Sequence, residues 1–147
     1  MTTKSTASES DLAGRLRLTV VRTARRLRQE AGSDLSPSMQ AALATIERHG
    51  PLTPSELAAA ERIQRPTATR VVARLEEQGL IERTGDPADR RVTLLSVTRD
   101  GRDLIQRLRK RKNVYLARRL RHLPADDLAA LERAADVLER MLEDDRP

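Results

Sequence analysis

The chain has 147 residues, 38% hydrophobic and 34% charged, with a net charge of +6. It contains no Cys, Phe or Trp, one Tyr and two His. That composition excludes disulfides, thiolate metal sites, a Cys nucleophile and thiol redox sensing. It leaves too few His for a His-only metal site and no aromatic platform for stacking single-stranded bases. The length suits one domain with a core of Leu, Val, Ile and Ala. No apolar run approaches the roughly 20 residues that span a bilayer, and the polar start lacks the apolar stretch of a signal peptide. A cytoplasmic protein without a membrane partner is expected.

The charge is unevenly distributed. Residues 123–147 carry a net charge of −5 and residues 1–122 a net charge of +11. Apart from Lys4, Lys110 and Lys112, every basic residue is Arg. Arg suits bidentate contacts to phosphate or guanine, so the balance points to a polyanion. Composition alone is equally consistent with DNA, RNA or an anionic lipid surface.

Residues 1–10 are small and polar and read as a disordered tail. From Asp11 the spacing of Leu12, Leu16, Val20, Ala24 and Leu27 predicts a helix that stops at Gly32. Ser36-Pro37 starts a second helix, which carries Met39, Ala42, Leu43 and Ile46 inward and ends at His49-Gly50-Pro51. Thr53-Pro54-Ser55-Glu56 is a capping box opening a short helix over 54–60. Residues 61–65 turn the chain, and a fourth helix runs from Pro66 to Gln78, stopped by Gly79. Its inner face is Ala68, Val71, Val72 and Leu75.

The third and fourth helices resemble a helix-turn-helix. Small residues and Arg on the exposed N-terminal half of the fourth are what a major groove admits. Arg65, Thr67, Thr69 and Arg70 are the candidates for base contact. Arg74, one turn further on, is a candidate phosphate contact. The competing reading is an ordinary amphipathic helix with a solvated Arg face.

Leu80 to Arg83 reads as a short strand, Thr84 to Arg91 as a turn-rich loop, and Arg91 to Val97 as the returning strand. Together they form a wing with Arg at its tip, suited to a narrow minor groove. Asp86 and Asp89 are unsuited to facing DNA. Their expected work is internal: capping turn N–H groups or holding a neighbouring Arg. Thr98 starts a long helix with Leu104, Ile105, Leu108, Tyr115, Leu116 and Leu120 as its apolar positions, extending to about His122. Its basic run, Arg107 to Lys112 and Arg118 to Arg121, reads as a solvated face or as a contact for phosphates or an anionic ligand. Leu123-Pro124 breaks the helix. A last helix, about 126–143, spaces Leu128, Leu131, Ala135, Leu138 and Leu142 as a heptad seam. The apolar seams at the two ends of the chain fit either a monomeric bundle or a dimer. His49 and His122 sit at helix ends, where a cation favours the dipole.

The order of elements resembles the multiple antibiotic resistance regulator (MarR) family of winged-helix transcription factors. The similarity covers about residues 11–145. It is carried by Leu57-Ala58, Pro66 to Glu76, Gly79-Leu80-Ile81, Leu94 to Gly101 and above all Asp86-Pro87-Ala88-Asp89-Arg90-Arg91. The resemblance implies a mainly α fold with a small β-wing: a winged helix-turn-helix over 36–100, flanked by dimerisation helices over 11–32 and 101–145. It implies a homodimer paired through seams that include Leu12, Leu16, Val20, Leu131, Leu138 and Leu142. It further implies a repressor on palindromic double-stranded DNA, released by a small organic anion, with Arg90 or Arg91 in the minor groove and the other paired with acid. No cofactor or metal is implied. The single Tyr departs from the aromatic ligand pockets of the family, and Pro124 stands where a Ser or Thr cap is expected. A sequence-tolerant architectural DNA-binding protein is the alternative. No phosphate loop, nucleophile elbow or ligand cluster suggests an enzyme.

Overall fold

The computed structural model describes the backbone of residues 3–144 and the side chains of residues 8–143. The elements in order are α1 (Thr3–Ala31), α2 (Pro37–His49), α3 (Pro54–Ala60), α4 (Arg65–Glu77), β1 (Ile81–Gly85), β2 (Thr93–Val97), α5 (Arg99–Leu120) and α6 (Ala125–Asp144). The mainly helical fold with a two-stranded wing matches the expected class. The chain divides into two compact units, residues 1–112 and 113–147.

The first unit is built around one apolar core. Met39, Ala42, Leu43 and Ile46 of α2 meet Leu57 of α3, Val71, Val72 and Leu75 of α4, Ile81 of β1, Leu95 of β2 and Ile105 of α5. All but Met39 are branched or small, as the near absence of aromatics requires. No polar or charged side chain among the described residues is buried.

The helix starts follow their caps. Ser36 Oγ accepts the Met39 N–H at 3.3 Å. Thr53 and Glu56 form the reciprocal capping box: Thr53 Oγ1 accepts the Glu56 N–H, and the Glu56 carboxylate accepts the Thr53 N–H. Thr98 Oγ1 accepts the Gly101 N–H and donates to the Gly79 carbonyl at 2.6 Å, tying the start of α5 to the end of α4. Gly79 itself has φ +70°, a left-handed conformation that lets the chain leave α4 and enter β1.

Several boundaries depart from the sequence reading. The expected tail is helical from Thr3 onward, and Met1 and Thr2 lie outside the described residues. Residues 3–10 contain neither Gly nor Pro, so nothing stops the helix propagating backward. α4 begins one residue early, at Arg65. β2 begins at Thr93 rather than Arg91, because the Arg91 and Val92 N–H groups are committed to Asp89 and cannot join the ladder. Leu52 adds an isolated bridge to Leu95, an edge to the wing sheet that the sequence did not signal.

α1 and the first part of α5 group with the winged helix in the first unit. The reason is local: Ile105 and Leu108 are buried, Arg109 pairs with Glu47 of α2 at 2.9 Å, and Arg111 donates to the Ala31 carbonyl at 2.8 Å. Two residues of the basic run on α5, Arg109 and Arg111, thus serve packing. The second unit holds the end of α5 and all of α6. There Arg119 lies 5.5 Å from the Tyr115 ring, a cation–π contact. The Pro124 carbonyl accepts the Leu128 N–H, and the Pro124 side chain has no oxygen to cap α6.

Gly101 is the tightest point. A Cβ there would lie 2.1 Å from the Leu80 carbonyl oxygen and 2.8 Å from Val97 Cγ2. Gly101→Ala is therefore expected to cost about 1–3 kcal/mol of stability by overpacking. A urea titration reads this as a lower midpoint. An unchanged midpoint would mean that α5 shifts freely on the wing.

Candidate nucleic-acid interface

α3 and α4 form the helix-turn-helix, and the turn between them is closed by backbone bonds. The Ile63 N–H reaches the Ala58 carbonyl, and Arg62 takes a positive φ of 51°. The Thr45 hydroxyl of α2 donates to the Glu61 carboxylate, fixing the turn against the core. With Ala68, Val71, Val72 and Leu75 buried, the rest of α4 is pinned in orientation.

That orientation leaves Arg65, Thr69, Arg70 and Arg74 exposed and Thr67 half-buried. Thr69 donates its hydroxyl to the Arg65 carbonyl at 3.0 Å, so its proton is already used and its methyl and oxygen remain to meet a ligand. The Thr67, Arg70 and Arg74 positions share one side of α4. They open on a cleft of about 210 Å³ whose other wall is Ser36, Ser38 and Met39. Ser36 was legible as a cap. Nothing in the sequence signals that the start of α2 faces α4.

The wing is a two-stranded antiparallel ribbon with Ile81 opposite Val97 and Gly85 opposite Thr93. Glu76 of α4 pairs with Arg83 of β1 at 2.9 Å and links helix to wing. In the loop, Asp86 Oδ1 accepts the Ala88 N–H at 2.9 Å, and Asp89 Oδ1 accepts the Arg91 N–H at 3.0 Å. Both acids form turns onto the backbone two residues on. The Asp86 N–H and the Val92 carbonyl close the loop at 2.9 Å. Asp89 also meets Arg91 Nε at 3.4 Å, while the Arg91 side chain stays 90% exposed. Arg90 is exposed as well.

Comparison with known proteins gives the frame. Residues 35–93 match the sequence model of the MarR family. An HTH-type transcriptional regulator of Mycobacterium leprae is 36% identical over 138 residues, 93% of this chain and 96% of that protein. The chain belongs to the MarR family of transcriptional regulators. A crystal structure of a transcriptional regulator from Pseudomonas aeruginosa superposes with a TM-score of 0.82 at 35% identity, covering 92% of this chain and 96% of that one. The HTH-type transcriptional repressor MdtR of Bacillus subtilis is 30% identical over 113 residues, 72% of this chain and 73% of that protein.

As a MarR regulator the protein binds DNA, and its family and relatives are transcriptional regulators rather than enzymes. The site residues named from the sequence fall into four places in this MarR chain. Arg65, Thr67, Thr69, Arg70 and Arg74 line the outer side of α4, and Asp86, Asp89, Arg90 and Arg91 form the wing loop. The apolar seam residues Leu12, Leu16 and Val20 lie on α1 of the first unit, and Leu131, Leu138 and Leu142 on α6 of the second. Among the described residues no group of His, Asp and Glu is placed to hold a metal ion, and no helix is long and apolar enough to cross a membrane.

Proposed function

We propose that this MarR regulator is a cytoplasmic homodimeric repressor that reads a palindromic operator and is released by a small organic anion. The observation that carries the reading is the pairing of two DNA-facing parts on one rigid frame. α4 presents Arg65, Thr67, Thr69, Arg70 and Arg74 outward, and the wing presents an Asp-braced arginine. Base reading falls to Arg65, Thr67, Thr69 and Arg70 in the N-terminal half of α4, which enters the major groove first. Arg74 sits higher and meets the backbone.

In the wing, Arg91 is the better minor-groove residue. Asp89 holds it at the N–H and at Nε, which leaves both terminal amino groups free and the side chain aimed. Pairing with acid and reaching DNA are thus compatible in one residue, and Arg90 is left to the phosphates. Asp89→Ala is expected to weaken DNA binding by about 1 kcal/mol per wing, roughly fivefold, although it removes negative charge. Titration of a labelled duplex checks this. Unchanged or tighter binding would reduce Asp89 to an ordinary repulsive charge.

Dimerisation is supported by the apolar rows left uncovered in a single chain. Leu12, Leu16 and Val20 of α1 are 52%, 39% and 49% exposed, and Leu131 and Leu142 of α6 are 48% and 69% exposed. Leu138 is half-buried. Exposed apolar rows on this scale mark association surfaces. Repression is supported by the MdtR relationship. Release by an anion is supported by a small recess of about 70 Å³ against Leu35, Gln40, Leu43, Ile105, Leu108, Arg109 and Lys112. Burial, then the nearby positive charges of Arg28 and Arg109, push the Lys112 ammonium below its usual pKa.

Nuclease protection of the DNA upstream of the protein's own gene tests the reading. Two protected half-sites about 34 Å apart are expected for two α4 helices in successive major grooves. A single unpaired protected segment would rule out the palindromic dimer.

A further inference from the structure

The cleft between α2 and α4 has a composition that the helix-turn-helix alone does not require. Its walls carry three hydroxyl residues, Ser36, Ser38 and Thr67, and two guanidinium residues, Arg70 and Arg74, with Met39 and Val71 at the floor. No acidic residue lines it. Among the described residues Arg26 pairs with Glu30, Arg83 with Glu76, Arg91 with Asp89 and Arg109 with Glu47. Arg70 and Arg74, four residues apart on one helix, repel each other and have no such partner.

The hydroxyls are arranged to donate. Ser36 Oγ already accepts the Met39 N–H, and Ser36 and Ser38 share one hydrogen bond at 3.1 Å. Two hydroxyl hydrogens are present and only one is used between the pair, so one remains to reach into the cleft. The space, about 210 Å³, is several times the roughly 30 Å³ share of one water and admits a tetrahedral oxyanion.

We infer that this cleft is a seat for one backbone phosphate of the DNA, clamped between Arg74 on α4 and Ser38 on α2. The inference rests on the DNA-binding reading of α4 and deepens it. α2, which reads no bases, fixes how deep and at what angle α4 lies by gripping the strand beside it. Ser38 is thereby a positioning residue.

The test compares wild type, Arg74→Ala and Ser38→Asp on two duplexes, one of random sequence and one from upstream of the protein's own gene, across a salt series. Arg74→Ala is expected to lower the slope of log affinity against log salt by about one per subunit in contact. Affinity at 0.1 M salt then falls roughly eightfold per subunit, by the same factor on both duplexes. Ser38→Asp places a carboxylate against Arg74 and is expected to weaken both duplexes at least as much. Its thermal midpoint should hold or rise, because Asp is favoured in the first turn of a helix. An unchanged slope with Arg74→Ala, or a loss confined to the upstream duplex, would overturn the clamp while wild-type binding keeps the DNA reading intact. Failure of the wild type to bind either duplex would remove both. Inorganic phosphate alone, followed at the Ser38 and Met39 amides by NMR, separates the two sources of the anion. Weak shifts that DNA displaces support a backbone seat. Saturation well below millimolar phosphate that DNA does not displace would make it a site for free phosphate instead.

Discussion

Arg70→Ala is expected to remove about 1–3 kcal/mol of sequence discrimination per half-site, roughly ten- to a hundredfold, while affinity for scrambled DNA falls far less. Arg70 lies between Ala68 and Val71, both buried, so the backbone at this position is held by the core on either side. The side chain is exposed and stands in the N-terminal half of α4, ahead of Arg74. A guanidinium on a fixed helix face matches the O6 and N7 acceptors of guanine, and a methyl group in its place leaves those acceptors unread. Competition of the two DNAs for the variant checks the difference. Equal losses on both would make Arg70 a phosphate contact like Arg74.

Leu75→Ala carries the largest stability cost, about 2–5 kcal/mol. Leu75 is 0% exposed and belongs to the cluster shared by α2, α3, α4, the wing and α5. Removing three carbons leaves a void that neighbours drawn from five elements cannot close together. Domains of this kind are stable by about 5–15 kcal/mol in total, so a large fraction is lost. Urea denaturation should show a lower midpoint at similar slope, with DNA binding failing in proportion to the unfolded fraction. A midpoint within a few tenths of a kcal/mol of wild type would mean that the α4 face is not set by this core.

The legibility of the fold follows from its chemistry. Ser36-Pro37 and Thr53-Pro54-Ser55-Glu56 are local signals, and α2 and α3 start where they stand. The inward residues of α2 and α4 follow from a 3.6 period that tertiary packing did not override. The start of α1 was not legible, because a polar run without Gly or Pro is neutral and its state is set by the helix that follows. The bridge from Leu52 to Leu95 was not legible either: a single residue between Pro51 and Thr53 has no period. At the candidate site, the turns of Asp86 and Asp89 follow from their own side chains and were readable. Which arginine Asp89 holds depended on where the loop closes, and the structure gives Arg91. The facing of Ser38 toward Arg74 arises from helix packing across more than thirty residues, beyond the reach of local pattern.

Sequence-specific DNA binding is tested most directly by competition. Purified protein is bound to a duplex from upstream of its own gene and to a scrambled duplex of equal length, at low and physiological salt. A preference above about 10³ at physiological salt is expected, preserved while absolute affinity falls. A ratio near one against every genomic fragment selected by the protein, with affinity set by salt alone, would contradict it and leave an architectural DNA-binding protein.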